Sequence, residues 1–175
     1  MRTRLRIRVE SIVQGVGFRP CVYALATRRS LGGCVANDSQ GVHIEAEGER
    51  DNVERFLAAL EREAPPLAVI ARVTSHVMPP QGDTRFVIAP SHRGLERNAF
   101  VSPDVATCAD CLHELFASAD RRYQYALTNC TNCGPRFTII RDMPCDRATT
   151  TMVAFLMCQE CAREYHDPMN RRFHA

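Results

Sequence analysis

The stretch SIVQGVGFRP, Ser11–Pro20, marks the point where a strand pattern gives way to a helix pattern. The segment RLRIRVESIVQ (Arg4–Gln14) alternates polar and apolar residues, as a half-buried strand does. In the segment FRPCVYALATRRS (Phe18–Ser30), apolar residues recur at helical spacing at Val22, Leu25 and Ala26. The chain therefore predicts a strand, a short loop with two glycines, and a helix.

The following segments predict a hairpin, a second helix and further strands. GCVAN (33–37) and GVHIEAEG (41–48) are short alternating runs separated by DSQ, which indicates a hairpin. RDNVERFLAALEREAPP (50–66) is amphipathic and ends in prolines; its inward positions are Val53, Phe56, Leu57 and Leu60. AVIARVTSHV (68–77) and TRFVIA (84–89) supply further strands. This βαββαβ order predicts an α+β, ferredoxin-like domain over residues 1–90, with two helices on one face of an antiparallel sheet.

The cysteines divide the chain into two parts of different character. Two of them precede residue 100, and the other seven crowd the last part of the chain. Between the parts lies APSHRGLERNAFVSPDVAT (89–107), which is rich in Pro, Ser, Gly and charge and has no clear periodicity. We therefore predict a linker over residues 91–107 and a cysteine-rich region over residues 108–175.

The glycine loop before the first helix predicts an anion site. Backbone N–H groups of such a loop point into one concavity, where the helix dipole adds partial positive charge. Arg19 adds a full charge and a fork that matches two phosphoryl oxygens. The loop is not a G-x-x-x-x-G-K nucleotide loop, and Pro20 occupies the place of the third glycine in G-x-G-x-x-G. The predicted ligand is therefore a phosphate or a similar anion.

VQGVGFR (13–19), followed by VANDSQGV (35–42), resembles the signature of the acylphosphatase family. The resemblance implies that the catalytic residues are Arg19, which binds the phosphoryl group, and Asn37, which orients the attacking water. It also implies a phosphate-binding loop formed by Val13, Gln14, Gly15, Val16, Gly17 and Phe18. An acyl or carbamoyl phosphate suits so sparse a site, because its leaving group is a stable anion that needs no general acid.

Three C-x2-C pairs in the second part predict zinc binding. Each pair offers two thiolates on one tight turn, and two pairs complete a tetrahedral four-thiolate site. The candidate ligands are Cys108, Cys111, Cys130, Cys133, Cys158 and Cys161. Their spacing leaves two pairings open, because the second pair could share a metal with either the first or the third.

An internal repeat favours the first of these pairings. CADCLHELFASADRRYQYA, from Cys108, and CQECAREYHDPMNRRFHA, from Cys158, align at an offset of 50 residues. The same offset would repeat Cys130 and Cys133 at positions 180 and 183, beyond the last residue of this sequence. We therefore expect the second finger to be incomplete in this chain.

The two parts together resemble the amino-terminal portion of the HypF family, the carbamoyltransferases of nickel–iron hydrogenase maturation; NCTNCGPRFTII and EYHDPMNRRFHA carry the likeness in the second part. The resemblance implies that residues 1–90 release carbamate from carbamoyl phosphate, that zinc is the cofactor, and that a maturation partner protein finally receives the carbamoyl group. It also implies a truncated chain that cannot complete the transfer alone. Cys21 and Cys145 stand where the family has aromatic residues, and we predict that neither binds metal.

Charge and hydropathy limit the binding partners and the cellular location that we expect for this protein. With 22 Lys and Arg against 20 Asp and Glu, the net charge of +2 argues against nucleic acid as the main partner. The sequence has neither a secretory segment nor an apolar run of membrane-spanning length, so we expect a cytoplasmic protein without membrane contact. The alternating arginines between residues 2 and 8 predict the solvated face of an edge strand.

A non-catalytic zinc-binding module is the alternative function. In this interpretation the fingers contact a protein or nucleic acid partner, through arginines and nearby aromatic residues. The contact set would contain Arg121, Arg122, Arg171 and Arg172.

Overall fold

The computed structural model describes residues 1–12, 16–38, 41–90, 102–128, 130–134, 136–142 and 147–174; at residues 11 and 12 only the backbone is described. In the first part the elements are β1 (Arg2–Ile12), α1 (Phe18–Arg28), β2 (Gly32–Asp38), β3 (Gly41–Glu49), α2 (Arg50–Arg62), β4 (Val69–Met78) and β5 (Phe86–Ile88). The predicted βαββαβ order is therefore confirmed, and the segment at 84–89 adds the short strand β5.

The described strands form one sheet in the order β4-β1-β3-β2-β5. Neighbouring strands are antiparallel except β2 and β5, which are parallel, so the expectation of a purely antiparallel sheet needs that correction. β1 lies between β4 and β3, and its assignment as an edge strand is wrong. Its arginines lie on the face of the sheet that Leu5, Ile7 and Val9 do not occupy. Arg2, Arg4 and Arg6 are cross-strand neighbours of Glu49, Glu47 and Glu45 of β3, and Arg8 is the cross-strand neighbour of His43.

Arg4 shows how the charged face of the sheet is organised. The residue is only 4% exposed, and its guanidinium donates to Glu45, Glu47 and Asp83. Glu47 is fully buried and also accepts the backbone N–H groups of Gln81 and Gly82, at 2.7 and 2.9 Å. A buried charge is tolerated only when it is paired and hydrogen-bonded, and both conditions hold for Glu47. Arg4 is also paired, although its buried Nε has no hydrogen-bond partner among the described residues.

The two helices cover the apolar face of the sheet and enclose the core. The predicted inward residues Val22, Leu25 and Ala26 of α1 are buried. In α2, Val53, Phe56, Ala59 and Leu60 are buried, whereas Leu57 is only partly buried against the same core. Central strand residues such as Ile7, Val35 and Ile44 complete this core.

The second part contains two short helices that repeat each other at the predicted offset. They are α3 (Ala109–Phe116) and α4 (Gln159–His166), and three short 3₁₀ segments lie between them at Phe137–Ile139, Arg147–Thr149 and Thr151–Ala154. After α3 the Gln124 N–H donates to the Leu115 carbonyl, and after α4 the His174 N–H donates to the Tyr165 carbonyl. Gln124 and His174 also share a positive φ, of 54° and 55°. The internal repeat is therefore confirmed as a repeat of local structure.

Residues 102–107, the described part of the predicted linker, are hydrogen-bonded to the cysteine-rich part. The Asp104 carboxylate accepts the Phe137 N–H at 2.8 Å, and Arg136 donates to the Thr107 hydroxyl at 2.9 Å. Across the described ranges, no helix combines the length and the apolar character that spanning a membrane requires.

Candidate functional site

At the start of α1, the apolar side chains on either side of Gly17 face the core. Val16 and Phe18 are 0% and 1% exposed, so both side chains are committed to the core. Gly17, between them, is the N-cap of α1 and has a φ of 75°, a conformation that favours glycine. The first N–H groups of a helix have no intrahelical acceptor, and a helix start of this kind favours an anion. Val13, Gln14 and Gly15 lie outside the described residues.

Topology brings the start of α1 and the end of β2 to the same edge of the sheet. β1 and β2 run in the same direction, because each is antiparallel to β3 between them. Asn37, the last residue but one of β2, lies in one cross-strand row with Val42 and Val9. α1 begins just after the loop that leaves β1, and it packs on β2. Arg19, half-exposed in the first turn of α1, is therefore at the same end of the domain as Asn37.

Asn37 is buried, and no residue that the structure describes is a hydrogen-bond partner of its amide oxygen. The residue is 3% exposed, and it shares the helix-covered face with Val35, two residues earlier in the strand. Its Oδ1 has no hydrogen-bond partner within the described part of the chain. A buried polar atom of this kind requires an explanation, and a water or ligand that it binds is one.

Asp38, which follows Asn37, is engaged on the other face of the sheet. It ends β2, and both of its carboxylate oxygens lie 3.1 Å from Nη2 of Arg8. Gly41 begins the returning strand with a φ of 147°, and a Cβ there would lie 2.2 Å from the Val9 carbonyl oxygen. The close approach of the hairpin to β1 therefore depends on glycine at this position.

Four cysteines of the second part form a compact, mostly buried cluster. The sulfur atoms of Cys108, Cys111, Cys130 and Cys133 all lie within 4.8 Å of one another. Two of the separations are 3.8 Å (Cys108 to Cys133) and 3.9 Å (Cys111 to Cys133). A tetrahedral zinc site with Zn–S bonds of about 2.3 Å has sulfur–sulfur edges of about 3.8 Å. The donor set and its dimensions therefore fit a four-thiolate metal site.

Local backbone structure builds this cluster from two tight turns. Cys108 is the N-cap of α3, which places Cys111 in the first turn of the helix. On the facing turn, Thr131, Asn132 and Cys133 all have positive φ values, between 32° and 66°. Burial raises the pKa of the Cys108 and Cys133 thiols. A bound metal would supply positive charge that favours the deprotonated form of such thiols.

The third pair, Cys158 and Cys161, lies apart from this cluster. Cys158 is the N-cap residue of α4, as Cys108 is of α3, but only the Cys158 sulfur accepts a capping hydrogen bond, from the Cys161 N–H. The guanidinium of Arg121 faces this pair, with Nη1 3.7 Å from Cys158 Sγ and 3.2 Å from Cys161 Sγ. Burial alone would raise the pKa of Cys161, but the hydrogen bonds with Arg121 and Cys158 and the charges of Arg121 and Arg122 together hold it below the ordinary value. Among the described residues, one complete set of four thiols is therefore brought together, and it is the set that the internal repeat favours. Cys145 lies outside the described residues.

The four arginines near the fingers are engaged in ion pairs with two glutamates. Arg121 and Arg122 donate to Glu164, whereas Arg171 and Arg172 donate to Glu114. These contacts outweigh burial and hold the pKa of both carboxyls below the ordinary value. The guanidinium side chains of Arg122 and Arg172 are only 12% and 13% exposed. They do not form the free basic surface that the nucleic-acid alternative requires.

Comparison with known proteins agrees with this division of the chain. The family model described as Acylphosphatase matches residues 5–88, and the one described as HypF finger matches residues 107–140 and 157–175. The carbamoyltransferase HypF of Rhodobacter capsulatus is 49% identical over 172 residues, which cover 97% of this chain and 22% of that protein. The acylphosphatase of Thermotoga maritima is 41% identical over 85 residues, 48% of this chain and 93% of that enzyme.

A solved structure extends the similarity to three dimensions. The crystal structure of full-length HypF in the phosphate- and nucleotide-bound form superposes with a TM-score of 0.89 at 46% identity. It covers 100% of this chain, which spans 23% of the crystallised protein. The chain therefore belongs to the HypF family, with an acylphosphatase-like portion followed by a HypF finger region.

Proposed function

We propose that residues 1–90 hydrolyse an acyl phosphate, and that carbamoyl phosphate is the substrate. The observation that carries the proposal is the buried Oδ1 of Asn37, which has no hydrogen-bond partner among the described residues and lies at the edge where α1 begins. An acceptor in that position suits a water that is to attack a phosphoryl group held by the helix N-terminus. The relatives named carbamoyltransferase favour carbamoyl phosphate among the acyl phosphates.

The proposed reaction needs charge stabilisation and an oriented water. Backbone N–H groups of residues 13–18 and the Arg19 guanidinium bind the phosphoryl oxygens, where negative charge must be stabilised. Asn37 Oδ1 accepts a hydrogen bond from the water, whose oxygen forms a bond to phosphorus. The bond from phosphorus to the bridging oxygen breaks, and its electron pair leaves with carbamate. The water loses one proton to solvent, so the products are carbamate and inorganic phosphate.

We further propose that zinc is the metal of the four-cysteine cluster and that its role is structural. Cys108, Cys111, Cys130 and Cys133 would fill the coordination shell and leave no open position for a substrate. Free thiols arranged as metal ligands also fit a reducing compartment such as the cytoplasm. The finger region, residues 108–175 after a linker at 91–107, would serve the later transfer of the carbamoyl group to a maturation partner protein.

The test compares Arg19→Ala and Asn37→Ala with Arg28→Ala, a matched control in the exposed last turn of the same helix. Loss of an aligned donor typically lowers kcat by roughly 10²–10³. We expect such a loss in phosphate release from carbamoyl phosphate for Arg19→Ala. For Asn37→Ala we expect a lower kcat with little change in KM, because the water and not the phosphate is affected. An Arg19→Ala protein that works at the parental rate would refute the proposal.

A further inference from the structure

The two repeats of the finger region exchange their arginine pairs. We propose that Arg171, from the second repeat, is a positioning residue for the metal site of the first repeat, so that metal affinity there depends on docking of the second repeat. The inference rests on the proposed zinc site and adds to it a coupling between the repeats.

Arg171 contacts the four-cysteine cluster directly. Its Nη1 lies 2.7 Å from Cys133 Sγ and 3.1 Å from Cys111 Sγ. Its Nη2 donates to the carboxylate of Glu114, which lies on α3 of the first repeat. Arg172 donates to the other oxygen of Glu114 and lies 3.6 Å from Cys111 Sγ. The carboxylate therefore orients two guanidinium groups against the sulfur atoms.

The reverse contact has the same design. Arg121 of the first repeat donates from Nη2 to Glu164 at 2.8 Å, while its Nη1 lies 3.2 Å from Cys161 Sγ. Arg121 and Arg171 are separated by the repeat offset of 50, as are Glu114 and Glu164. Each repeat thus supplies the cation that faces the thiols of the other. Longer ion pairs also form within each repeat, between Arg122 and Glu114 at 3.7 Å and between Arg172 and Glu164 at 3.9 Å, but the contacts of Arg121 and Arg171 with sulfur run between the repeats.

The charge balance of a four-thiolate site explains why such a cation matters. Four thiolates around a dication carry a net charge of −2, and burial makes that charge costly. N–H donors on the sulfur atoms offset part of it, and Arg171 supplies such donors to Cys111 and Cys133. Loss of an outer partner of a metal ligand typically lowers metal affinity by roughly 10–100-fold. We expect a loss in that range when the Arg171 guanidinium is removed.

The test measures zinc affinity by competition with a chromophoric chelator, using the full chain. The variants are Arg171→Gln and, as a control, Arg163→Gln. Arg163 belongs to the same repeat, but its side chain is 71% exposed and pairs with Glu160 on its own helix. We expect Arg171→Gln to bind zinc roughly 10–100-fold more weakly, and Arg163→Gln to match the parent. Arg171→Lys, which keeps the charge but loses the fork, should fall between them.

Cobalt spectra separate this role from general damage to the finger. We expect Co²⁺-loaded Arg171→Gln to keep the d–d bands of a tetrahedral four-thiolate site. Its sulfur-to-metal charge-transfer band should move to longer wavelength, because sulfur without N–H donors is easier to oxidise. Equal zinc affinity in Arg171→Gln and parent, an unshifted charge-transfer band, or loss of the d–d bands would each overturn the inference. A parent chain that binds no metal would overturn the zinc site itself, and the inference with it.

Discussion

Replacing Glu47 by glutamine removes a negative charge from the interior of the first domain. The carboxylate is fully buried and accepts hydrogen bonds from the Gln81 and Gly82 backbone, from Arg4 at 3.1 Å and from Arg2 at 3.2 Å. Glutamine keeps one acceptor oxygen, but its NH₂ group would face donors. The substitution therefore removes one of the three carboxylates that pair with Arg4, and it leaves some of the donors around position 47 without an acceptor.

The magnitude follows from the pKa of Glu47. Burial alone would raise this pKa, yet the two backbone N–H groups and the arginines hold it at about 2 instead of 4.5. Each pH unit between folded and unfolded pKa values corresponds to about 1.4 kcal/mol, so the ionised carboxylate contributes about 3 kcal/mol at neutral pH. Because folding lowers the pKa, this contribution is present above about pH 4.5 and is lost as the pH falls towards about 2.

The assay is urea unfolding followed by circular dichroism, for parent and Glu47→Gln, at pH 7 and at steps below pH 4.5. We expect the free energy of unfolding to fall by about 3 kcal/mol at pH 7, with the difference shrinking towards pH 2. Glu54→Gln is the control, since this exposed carboxylate pairs only with Arg50 one helical turn away among the contacts described; it should cost under about 0.5 kcal/mol. A Glu47→Gln protein within 1 kcal/mol of the parent at pH 7, or a difference independent of pH, would refute the reasoning.

Two further predictions concern the metal and the loop. We expect metal analysis to give one zinc per chain, a value that Cys130→Ser abolishes and Cys158→Ser preserves; equal loss in both variants would contradict the local pairing. Gly17→Ala and Gly82→Ala should each lose about 1–2 kcal/mol of stability, because both glycines have a positive φ that alanine adopts only with strain. A Cβ at either position would meet no other atom within 4 Å, so no steric clash adds to this loss. Only Gly17→Ala should also slow phosphate release, and an equal effect of Gly82→Ala would contradict the role of the loop.

The sequence pattern was sufficient to predict the helices and strands of the first domain, but it did not predict which strands lie next to each other in the sheet. Alternation in β1 identified which side chains face the core, and Ile7 and Val9 are indeed fully buried. The alternation could not show that β1 is an inner strand, because charged residues occur on inner strands as well as edge strands when carboxylates of an adjacent strand neutralise them. Glu45 and Glu47 of β3 do so here, and they come some forty residues later in the chain.

In the finger region the repeat carried more information than the cysteine spacing. Spacing left two pairings open, and the offset of 50 favoured the one in which Cys108 and Cys111 join Cys130 and Cys133. The same alignment made Arg121 and Arg171 equivalent without indicating which repeat each arginine contacts. Which repeat each arginine contacts depends on how the two repeats pack against each other, and short sequence patterns do not predict that packing. The roles of Arg19 and Asn37 remain predictions, supported by their position at one edge of the sheet.

The central claim is that water oriented by Asn37 attacks phosphorus rather than the carbonyl carbon. Its most direct test is hydrolysis of carbamoyl phosphate by the parent chain in ¹⁸O-labelled water, with mass analysis of the inorganic phosphate after subtraction of the rate without protein. The mechanism predicts one ¹⁸O atom in each phosphate released by the protein, and a loss of that labelled product in Asn37→Ala. Phosphate released at the parental rate without label would contradict it, because the new bond would then have formed at carbon.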